Sequence, residues 1–449
     1  MRAVVPIGCV LVVFASLGIQ AARSSHSKPI EFLYTRATAF EPLAWMRGGE
    51  RFPGGASIFM KDASGQRVLP GGLAASADPV VSFDASRVLF AGKKSPQDRW
   101  QIWELTLADG TLRRVTSCAD DCVRPLYLPE DRFVYARKVE GNFRMEAAAL
   151  EGGKPIPLTY GSGSFMPTDV LRDGRILFGA AYASGSDALP EIYTVYSDGS
   201  GVEAYRCDHG RPRHSGRQLA SGDVVFATEH GLARFTSALA HEEEISAPLA
   251  DYAGDVAEMP DGDWLIAARS GAKGRFSIAQ WKPGARRMES VLVADHVNVV
   301  QPTLLSARVA PNRHPSGLHD WSYANLLCLN AYTSKYSFAR NSIVSVRFYT
   351  QAASGDEKLL GTSAVERDGS FFVRPPADQP LKIELLDAAG KSLKKEAGWF
   401  WLRRGEQRVC VGCHAGPETA PENAVPAVLL RSTDPTDLSG TSLQTTGGH

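Results

Sequence analysis

Short hydrophobic segments that follow tight polar turns recur along the first two thirds of the chain. Five of them are DASRVLF (84–90), EDRFVY (130–135), RDGRILF (172–178), ASGDVVF (220–226) and PDGDWLI (260–266). They recur about every 44 residues, a period typical of the four-stranded blades of a β-propeller. The Asp-Gly turns beside them favour β-hairpins. The pattern therefore predicts an all-β fold that begins with repeated antiparallel sheets.

The predicted strands group into six blades, which form a propeller over residues 30–306. Complete blades are predicted to begin near Pro79, Pro125, Pro167 and Gln218, with a fifth near Asp255. The segment 43–70 should supply three strands of the remaining blade, and QPTL (301–304) should supply its first strand. Pairing a C-terminal strand with N-terminal ones would hide sheet edges that are otherwise exposed.

The loop that precedes the first strand of each blade should lie on one face of the ring, near its axis. The repeat register therefore predicts a cluster at one mouth of the central tunnel, formed by Cys118, Cys122, Cys207, His209 and His214. Cys118 and Cys122 are candidates for a small disulfide, which would leave Cys207 and Cys328 as a second pair. Buried thiols are the alternative at these positions.

A polar linker with prolines, predicted over 307–324, ends the repeats. Alternating segments then predict a small β-sandwich-like domain over 325–402. The last aromatic run of this domain, Trp399, Phe400 and Trp401, is expected to pack in the sandwich core, or in part to cover a haem. A haem c attachment segment is predicted over 403–431, and a Ser/Thr/Gly-rich disordered tail over 432–449.

The bulk composition is that of an ordinary globular protein. The chain has 449 residues, of which 44% are hydrophobic and 22% charged, and Lys+Arg equals Asp+Glu at 49 each. A neutral chain without a basic block argues against nucleic acid or an anionic membrane as the main partner.

The N-terminus predicts export. A short positive start, an apolar run and small residues at Ala21 and Ala22 are typical of a secretory signal peptide, predicted over 1–22. An uncleaved anchor is the alternative, but Pro6 and Gly8 interrupt the short apolar run. We therefore expect a periplasmic or otherwise exported protein with no membrane span after signal removal.

The run CVGCH, from Cys410 to His414, is the motif with the most specific chemistry. Two cysteines at this spacing can each add to one vinyl group of a haem, and the next histidine can bind the iron. A zinc site would need two more soft ligands, and a thioredoxin-type pair would need a βαβ context. The motif therefore predicts one covalent haem c, attached to Cys410 and Cys413, with His414 as the proximal iron ligand.

The distal ligand of the iron is harder to assign. The last methionine, Met288, lies well before the motif, and the only histidine after it, His449, ends the chain. His314 is the first candidate because it lies where the chain passes between domains, and His319 and His209 are the others. An ordinary surface or hydrogen-bonded histidine is the alternative at each position, and an open iron site is the alternative overall.

Residues 325–431 resemble the haem-bearing C-terminal region of the hydrazine synthase alpha-subunit-like family. The resemblance is carried by LLCLNAY, by LGTSAVERDGSFFVRPPADQPLKIELLDAAGK and by GEQRVCVGCHAGPETAPENAVP. The preceding propeller, similar in pattern to TolB-like propellers, agrees with that family's architecture. The resemblance implies that Cys410 and Cys413 attach the haem and that His414 ligates it. That family's subunit carries two haems, whereas this chain has one motif, which matches the electron-transferring haem.

Three functions are compatible with these patterns. The first is an exported monohaem c-type cytochrome that passes electrons to a redox partner protein, with the propeller as a docking scaffold. The second is a haem-dependent oxidoreductase related to the hydrazine synthase alpha subunit but lacking its catalytic haem motif. Its pocket would be lined by Cys207, Asp208 and His209. The third is a binding or sensory protein. The catalytic residues, redox potential and oligomeric state are not predicted.

Overall fold

The computed structural model describes residues 30–440, with gaps at 183–188, 207–209, 230, 238–240, 294, 353–354 and 413–422. Eight sheets and two short helical segments are found in this part of the chain. The predicted all-β fold is therefore confirmed. No helix among these residues is long and apolar enough to cross a membrane.

The first three blades follow each other along the chain, with antiparallel neighbours. Blade 1 contains β4 (Ala75–Val81), β5 (Arg87–Lys93), β6 (Gln101–Thr106) and β7 (Leu112–Arg114). Blade 2 contains β8 (Cys122–Leu128), β9 (Arg132–Val139), β10 (Asn142–Ala149) and β11 (Ile156–Pro157). Blade 3 contains β12 (Ser164–Val170), β13 (Ile176–Ala181), β14 (Glu191–Val195) and β15 (Glu203–Ala204).

The remaining blades complete the ring. Blade 4 contains β16 (His214–Gln218), β17 (Val224–Ala227), β18 (Leu232–Phe235) and β19 (Glu243–Ile245). Blade 5 contains β20 (Asp251–Tyr252), β21 (Ala257–Glu258), β22 (Trp264–Arg269), β23 (Ser277–Trp281) and β24 (Glu289–Leu292). Blade 6 contains β25 (Asn298–Leu304), β1 (Phe32–Ala37), β2 (Ser57–Asp62) and β3 (Gly65–Val68).

The ring closes as the sequence predicts, because the C-terminal strand β25 pairs antiparallel with the N-terminal strand β1. The prediction that 43–70 supplies three strands was wrong. Two of the three strands lie there, and the third is β1, which precedes this segment. Within the segment, Trp45–Arg47 forms a 3-10 helix that buries the consecutive residues Trp45 and Met46. Gly48 ends this turn in the left-handed conformation, at φ 75°.

Two sheets form the β-sandwich after the linker. The first has the order β32 (Gln407–Cys410), β26 (Asn325–Cys328), β29 (Phe371–Arg374) and β33 (Thr436–Asp437). The second has the order β28 (Glu357–Ala364), β27 (Ser345–Gln351), β30 (Leu381–Leu386) and β31 (Ser392–Lys395). Alternate residues of β27 are buried, as the alternating sequence predicts. The core between the sheets includes Leu326, Phe348, Phe371 and Leu385.

Two strands of this sandwich come from segments that were assigned elsewhere. β32 lies in the predicted haem segment and pairs parallel with β26. β33 lies in the range predicted to be disordered and pairs parallel with β29. Leu438 follows β33 and is buried in the sandwich core, which the polar composition of the tail does not reveal. A short helix α1 (Ala427–Arg431) lies between these two strands in the sequence.

Candidate functional site

The haem-attachment motif begins at the end of β32. Cys410 is the last residue of this strand, is half-buried, and packs against the sandwich core. Its register partner on β26 is Cys328, which is buried. Cys413 and His414 lie outside the described residues, so their predicted roles stay predictions.

Gly412 holds the start of the motif against the end of the sandwich. A methyl group built on Gly412 would lie 2.8 Å from the carbonyl oxygen of Asn330, and closer still to that of Thr333. Only glycine fits this approach of two backbones. The chain that leaves β32 is therefore held against the turn that follows β26.

The donor set of the motif fits a c-type haem, because it offers two thiols and one imidazole in the order that the porphyrin requires. The half-buried Cys410 is consistent with that use, since its side chain is not sealed in the core. Within the described residues no group of three or more His, Cys, Asp or Glu side chains is arranged to hold a metal ion.

Trp401 anchors the segment before β32 in the propeller. Its side chain is fully buried and belongs to the main propeller core rather than to the sandwich core. The indole ring lies 5.9 Å from the ring of Phe165 and 6.5 Å from that of Phe178, both on blade 3. Its Nε1 donates a hydrogen bond to the carbonyl oxygen of Gly199, at 3.2 Å. The prediction that Trp401 packs in the sandwich core was therefore wrong.

The reason is positional. Neighbouring side chains of this segment pack in different cores, since Trp401 belongs to the propeller core and the next residue, Leu402, to the sandwich core. Phe400 is partly buried against both the propeller core and the sandwich core. Trp399 is also buried, and the carbonyl oxygen of its backbone accepts a hydrogen bond from the hydroxyl of Tyr182 in blade 3, at 3.1 Å.

Glu406 is the centre of a polar junction between the two domains, and it is 7% exposed. Its carboxylate accepts hydrogen bonds from the backbone N–H of Gly201 at 3.2 Å and from that of Arg403 at 2.8 Å. Arg408 donates to the same carboxylate from Nε at 2.9 Å. Arg408 also donates from Nη1 to the carbonyl oxygen of Val202, at 2.9 Å. Four residues before the end of β32, the chain is thus fixed to blade 3.

Arg403 extends this junction. Its Nη1 donates to the carbonyl oxygen of Pro157 at 2.8 Å and to that of Asp198 at 2.6 Å, and its Nε donates to Asp378 at 2.9 Å. Planar guanidinium groups suit such multiple contacts because their donors point in fixed directions. Trp401, Arg403, Glu406 and Arg408 are called the junction residues below.

His314, the predicted distal ligand, lies on the exposed linker beside blade 3. Its ring stacks on the ring of Tyr196, with centroids 3.9 Å apart and planes at 28°. Tyr196 in turn covers Gly201, where an added methyl group would lie 2.5 Å from the tyrosine ring. Since Gly201 is hydrogen-bonded to Glu406, a short series of contacts joins His314 to the junction. The iron-ligand role of His314 stays a prediction.

His319, the second candidate, belongs to an aromatic stack along the linker. Its ring lies 4.5 Å from that of Trp321, which lies 5.4 Å from that of Tyr323. The backbone N–H of His319 donates to the carbonyl oxygen of Gly405, in the turn that leads into β32. This stack is not among the sequence predictions, although the spacing of two residues places the three rings on one face of an extended chain.

The predicted cluster at the propeller mouth is described only in part. Cys118 and Cys122 form a disulfide, as one of the two alternatives predicted. Cys207 and His209 lie outside the described residues, so the Cys207–Cys328 pair stays a prediction. The fifth member of the cluster, His214, lies at the start of β16.

His214 lines a cavity of about 410 Å³ at the edge of blades 4 and 5, together with charged residues that include Arg47, Asp251 and Arg269. Its Nδ1 lies 3.1 Å from the hydroxyl of Ser215. Burial lowers the pKa of His214 to about 4, and the nearby Arg51 guanidinium acts in the same direction. The imidazole is therefore neutral at physiological pH.

Buried charged side chains from different blades contact each other near the propeller axis. Arg124 donates to Asp255 from both terminal nitrogens, at 3.1 and 3.0 Å. Arg51 lies 3.3 Å from Asp78 and 3.4 Å from Asp255. Burial alone would raise the pKa of Asp255, but the Arg124, Arg51 and Arg217 guanidinium groups hold it well below its usual range. These side chains are called the axial network below.

The axial network is not predicted from the sequence, although its members stand beside the residues that mark the blades. Asp78, Arg124 and Gln301 each precede a proline that marks a first strand, and Asp255 has the equivalent place in blade 5. All four have positive φ, between 53° and 59°. The first strands of blades 1, 2 and 6 shift register at this position, which turns the side chain toward the axis. The polar residue before three of these prolines, Pro79, Pro125 and Pro302, was the available signal.

Comparisons with known proteins agree with this architecture. Residues 333–415, which include Cys410, Cys413 and His414, match the family model of the hydrazine synthase alpha subunit middle domain. A 58-residue stretch is 36% identical to hydrazine synthase subunit alpha of Kuenenia stuttgartiensis, covering 13% of this chain and 7% of that protein. The matched residues lie within the stretch 325–431, whose resemblance to this family the sequence indicates.

Solved structures extend the similarity to the whole fold. The structure of Kuenenia stuttgartiensis hydrazine synthase matches with a TM-score of 0.76 at 16% identity, over 90% of this chain and 72% of that chain. TolB from Acinetobacter baumannii matches with a TM-score of 0.45 at 15% identity, over 61% of this chain and 66% of that chain. At this identity, the first match shows a shared fold of propeller and sandwich.

Proposed function

We propose that this chain, which resembles the hydrazine synthase alpha subunit in its residues 333–415 and in its fold, is an exported redox protein that carries one covalent haem c. Cys410 and Cys413 would form the two thioethers, and His414 would be the proximal iron ligand. When bound, the haem supplies an iron that accepts and releases one electron. Cys410, Cys413 and His414 would hold this group at the end of β32.

The attachment of β32 to blade 3 is the observation that supports electron transfer to a partner protein. Glu406 and Arg408 fix the strand that ends in Cys410, and Gly412 fits only against the turn after β26. A cofactor that exchanges electrons with a docked partner needs such a rigid mount, since supporting contacts set the position of the site. The propeller then serves as the docking scaffold and determines which face of the molecule the partner meets.

A second function, that of a haem-dependent oxidoreductase, is favoured by the contacts of the two described histidine candidates. The ring of His314 stacks on Tyr196 and the ring of His319 stacks on Trp321. Each ring is held by its stacking partner, and no described contact turns either ring toward Cys410. If both stay in place, the distal side of the haem is open to a small molecule.

The spin state of the iron separates these two functions. We would record optical and electron paramagnetic resonance spectra of the full chain matured with a complete cytochrome assembly apparatus. Electron transfer predicts a six-coordinate, low-spin haem whose spectrum does not change when cyanide or carbon monoxide is added. A high-spin spectrum that shifts with these ligands would contradict it and support the oxidoreductase.

Two matched variants test the distal ligand. His314→Ala is expected to convert low-spin haem into high-spin haem, because it removes the predicted sixth ligand. His319→Ala removes a neighbouring linker histidine with a similar stacking contact and is expected to leave the spectrum unchanged. The opposite result would transfer the ligand role to His319, and an unchanged spectrum in both would exclude the two residues.

Export is also part of the proposal, because bacterial cells attach haem c outside the cytoplasm and the predicted signal peptide would direct the chain there. N-terminal sequencing of protein from the periplasmic fraction is expected to begin shortly after Ala22. An intact Met1 in membrane-bound protein would instead support an uncleaved anchor.

A further inference from the structure

Two cysteines end neighbouring strands of the sandwich. Cys328 is the last residue of β26, Cys410 is the last residue of β32, and the two are register partners in a parallel pair. Adjacent strands lie about 4.8 Å apart. That spacing falls within the Cα separation of about 4.4–6.8 Å that a disulfide can bridge.

Both side chains lie on the core side of this sheet. Cys328 belongs to the sandwich core together with Leu326, and Cys410 packs against the same core from the edge strand. Register partners on adjacent strands carry their side chains on the same face, so the two cysteine side chains are neighbours in this sheet. Cys328 is 1% exposed, while Cys410 is half-buried, so a reagent can approach the pair only from the Cys410 side.

The two cysteines end the regular ladder between their strands. Beyond them one further hydrogen bond runs from the backbone N–H of Leu329 to the carbonyl oxygen of Cys410. Because this bond and the close approach of Gly412 to the turn after β26 hold the two strand ends together, the two cysteines stay side by side.

We propose that Cys328 is the redox partner of Cys410 in the haem-free chain, and that their disulfide prevents haem attachment until it is reduced. The second half of this inference rests on the proposed function, since it assumes that Cys410 attaches haem. A sulfur atom that is bonded to Cys328 cannot add to a vinyl group. Cys328 would thus be a modification site that controls maturation.

The chemistry balances with a disulfide as the oxidant. Two thiols lose two protons and two electrons as the S–S bond forms, and a disulfide of the glutathione or protein type accepts them and becomes two thiols. Exported compartments supply such disulfides. Reduction by a dithiol reverses the step, after which the Cys410 S–H adds across a haem vinyl group without any change of redox state.

The pairing itself can be mapped in haem-free protein. We would make the full chain without a cytochrome assembly apparatus, treat it with oxidised glutathione, block remaining thiols, and analyse the peptides by mass spectrometry. The expected product is a cross-linked peptide that contains Cys328 and Cys410, two hydrogen atoms lighter than its reduced parts. In Cys328→Ser protein, Cys410 should instead carry the blocking reagent. A bond between Cys410 and Cys413, or between Cys328 and Cys207, would overturn the proposal.

The effect on maturation is measured by co-expression with the assembly apparatus in an oxidising compartment. Cys328→Ser is expected to raise the ratio of haem to protein, whereas the double variant Cys118→Ser, Cys122→Ser removes only the propeller disulfide and should not. If the ratio of haem to protein did not change in Cys328→Ser, the claim that the disulfide competes with haem attachment would be overturned. If no variant binds haem, the proposed function fails, while the peptide map still decides the Cys328–Cys410 bond.

Discussion

The propeller axis and the domain junction both bury charges, but they use them differently. On the axis, side chains pair with side chains, as Arg124 does with Asp255. At the junction, Arg403 donates to main-chain carbonyl groups of the propeller, and Arg408 combines one such contact with its ion pair to Glu406.

The difference shows what each network can control. Removing one charged member of the axial network leaves a buried charge of the opposite sign without compensation. This lowers the free energy of unfolding of the whole propeller. Removing one junction residue mainly weakens the contact between the segment before β32 and a turn of blade 3. The axis is therefore tied to global folding, and the junction to the position of the strand that carries the motif.

The largest effect is expected on the axis. Asp255→Asn leaves Arg124 and Arg51 without their shared carboxylate, and we expect the free energy of unfolding to fall by about 3–5 kcal/mol. Urea denaturation followed by tryptophan fluorescence measures this. Asp251→Asn is the control: Asp251 pairs with Arg269 but its side chain is 45% exposed, so the loss should stay below about 1 kcal/mol. Equal losses in the two variants would refute the role of the axial network.

Trp401→Ala should have the next largest effect. It empties a fully buried site in the propeller core, at a cost of about 3 kcal/mol. Because the indole comes from the sandwich side, we also expect faster proteolysis in the linker and separate unfolding transitions for the two domains. Trp321→Ala removes a ring that is 42% exposed and should change neither. A single unchanged transition in Trp401→Ala would show that the ring does not couple the domains.

Glu406→Gln tests the junction, and we expect it to lower the free energy of unfolding by less than Trp401→Ala does. Losing the charge weakens hydrogen bonds from Gly201, Arg403 and Arg408, and we expect a loss of about 1–3 kcal/mol. The specific expectation is a shifted haem potential and optical spectrum, since Glu406 positions β32. Glu384→Gln is the matched control, because Glu384 accepts from Tyr349 in the other sheet of the sandwich. If both variants left the haem unchanged, Glu406 would have a structural role only.

The smallest effect concerns pH. The pKa of His214 is lowered to about 4 in the folded protein, from about 6.5 in an unfolded chain. The unfolded state therefore binds more protons between these values, so stability is fully present above pH 6.5 and falls as pH drops toward 4. His214→Gln should reduce the slope of unfolding free energy against pH in this window, and leave it unchanged between pH 7 and 8. An unaltered slope below pH 6.5 would contradict the neutral state of His214 in the folded protein.

The sequence predicts the blades well because each blade repeats the same local signal. A proline in the first strand and a polar turn before the second one are short-range features, and they locate β4, β8 and β12. Ring closure by β25 also follows from the sequence. The N-terminal strands lack the first strand of their blade, and one additional first strand follows blade 5.

The junction could not be predicted in this way, because its contacts join residues about 200 positions apart. Trp401 follows the alternation of the sandwich, yet it packs beside Phe165 in the propeller. Glu406 and Arg408 look like ordinary surface charges in a polar turn. Their partners are main-chain groups of Gly201 and Val202, which carry no side-chain signal.

The central claim is that this chain carries one covalent haem on Cys410 and Cys413, and intact-mass spectrometry tests it most directly. The full chain would be produced with a complete cytochrome assembly apparatus and denatured before analysis, beside a Cys410→Ser, Cys413→Ser double variant. We expect the mature chain to gain the mass of one haem and the double variant to gain none. A mature chain with no added mass, from cells that load a known c-type cytochrome, would contradict the claim.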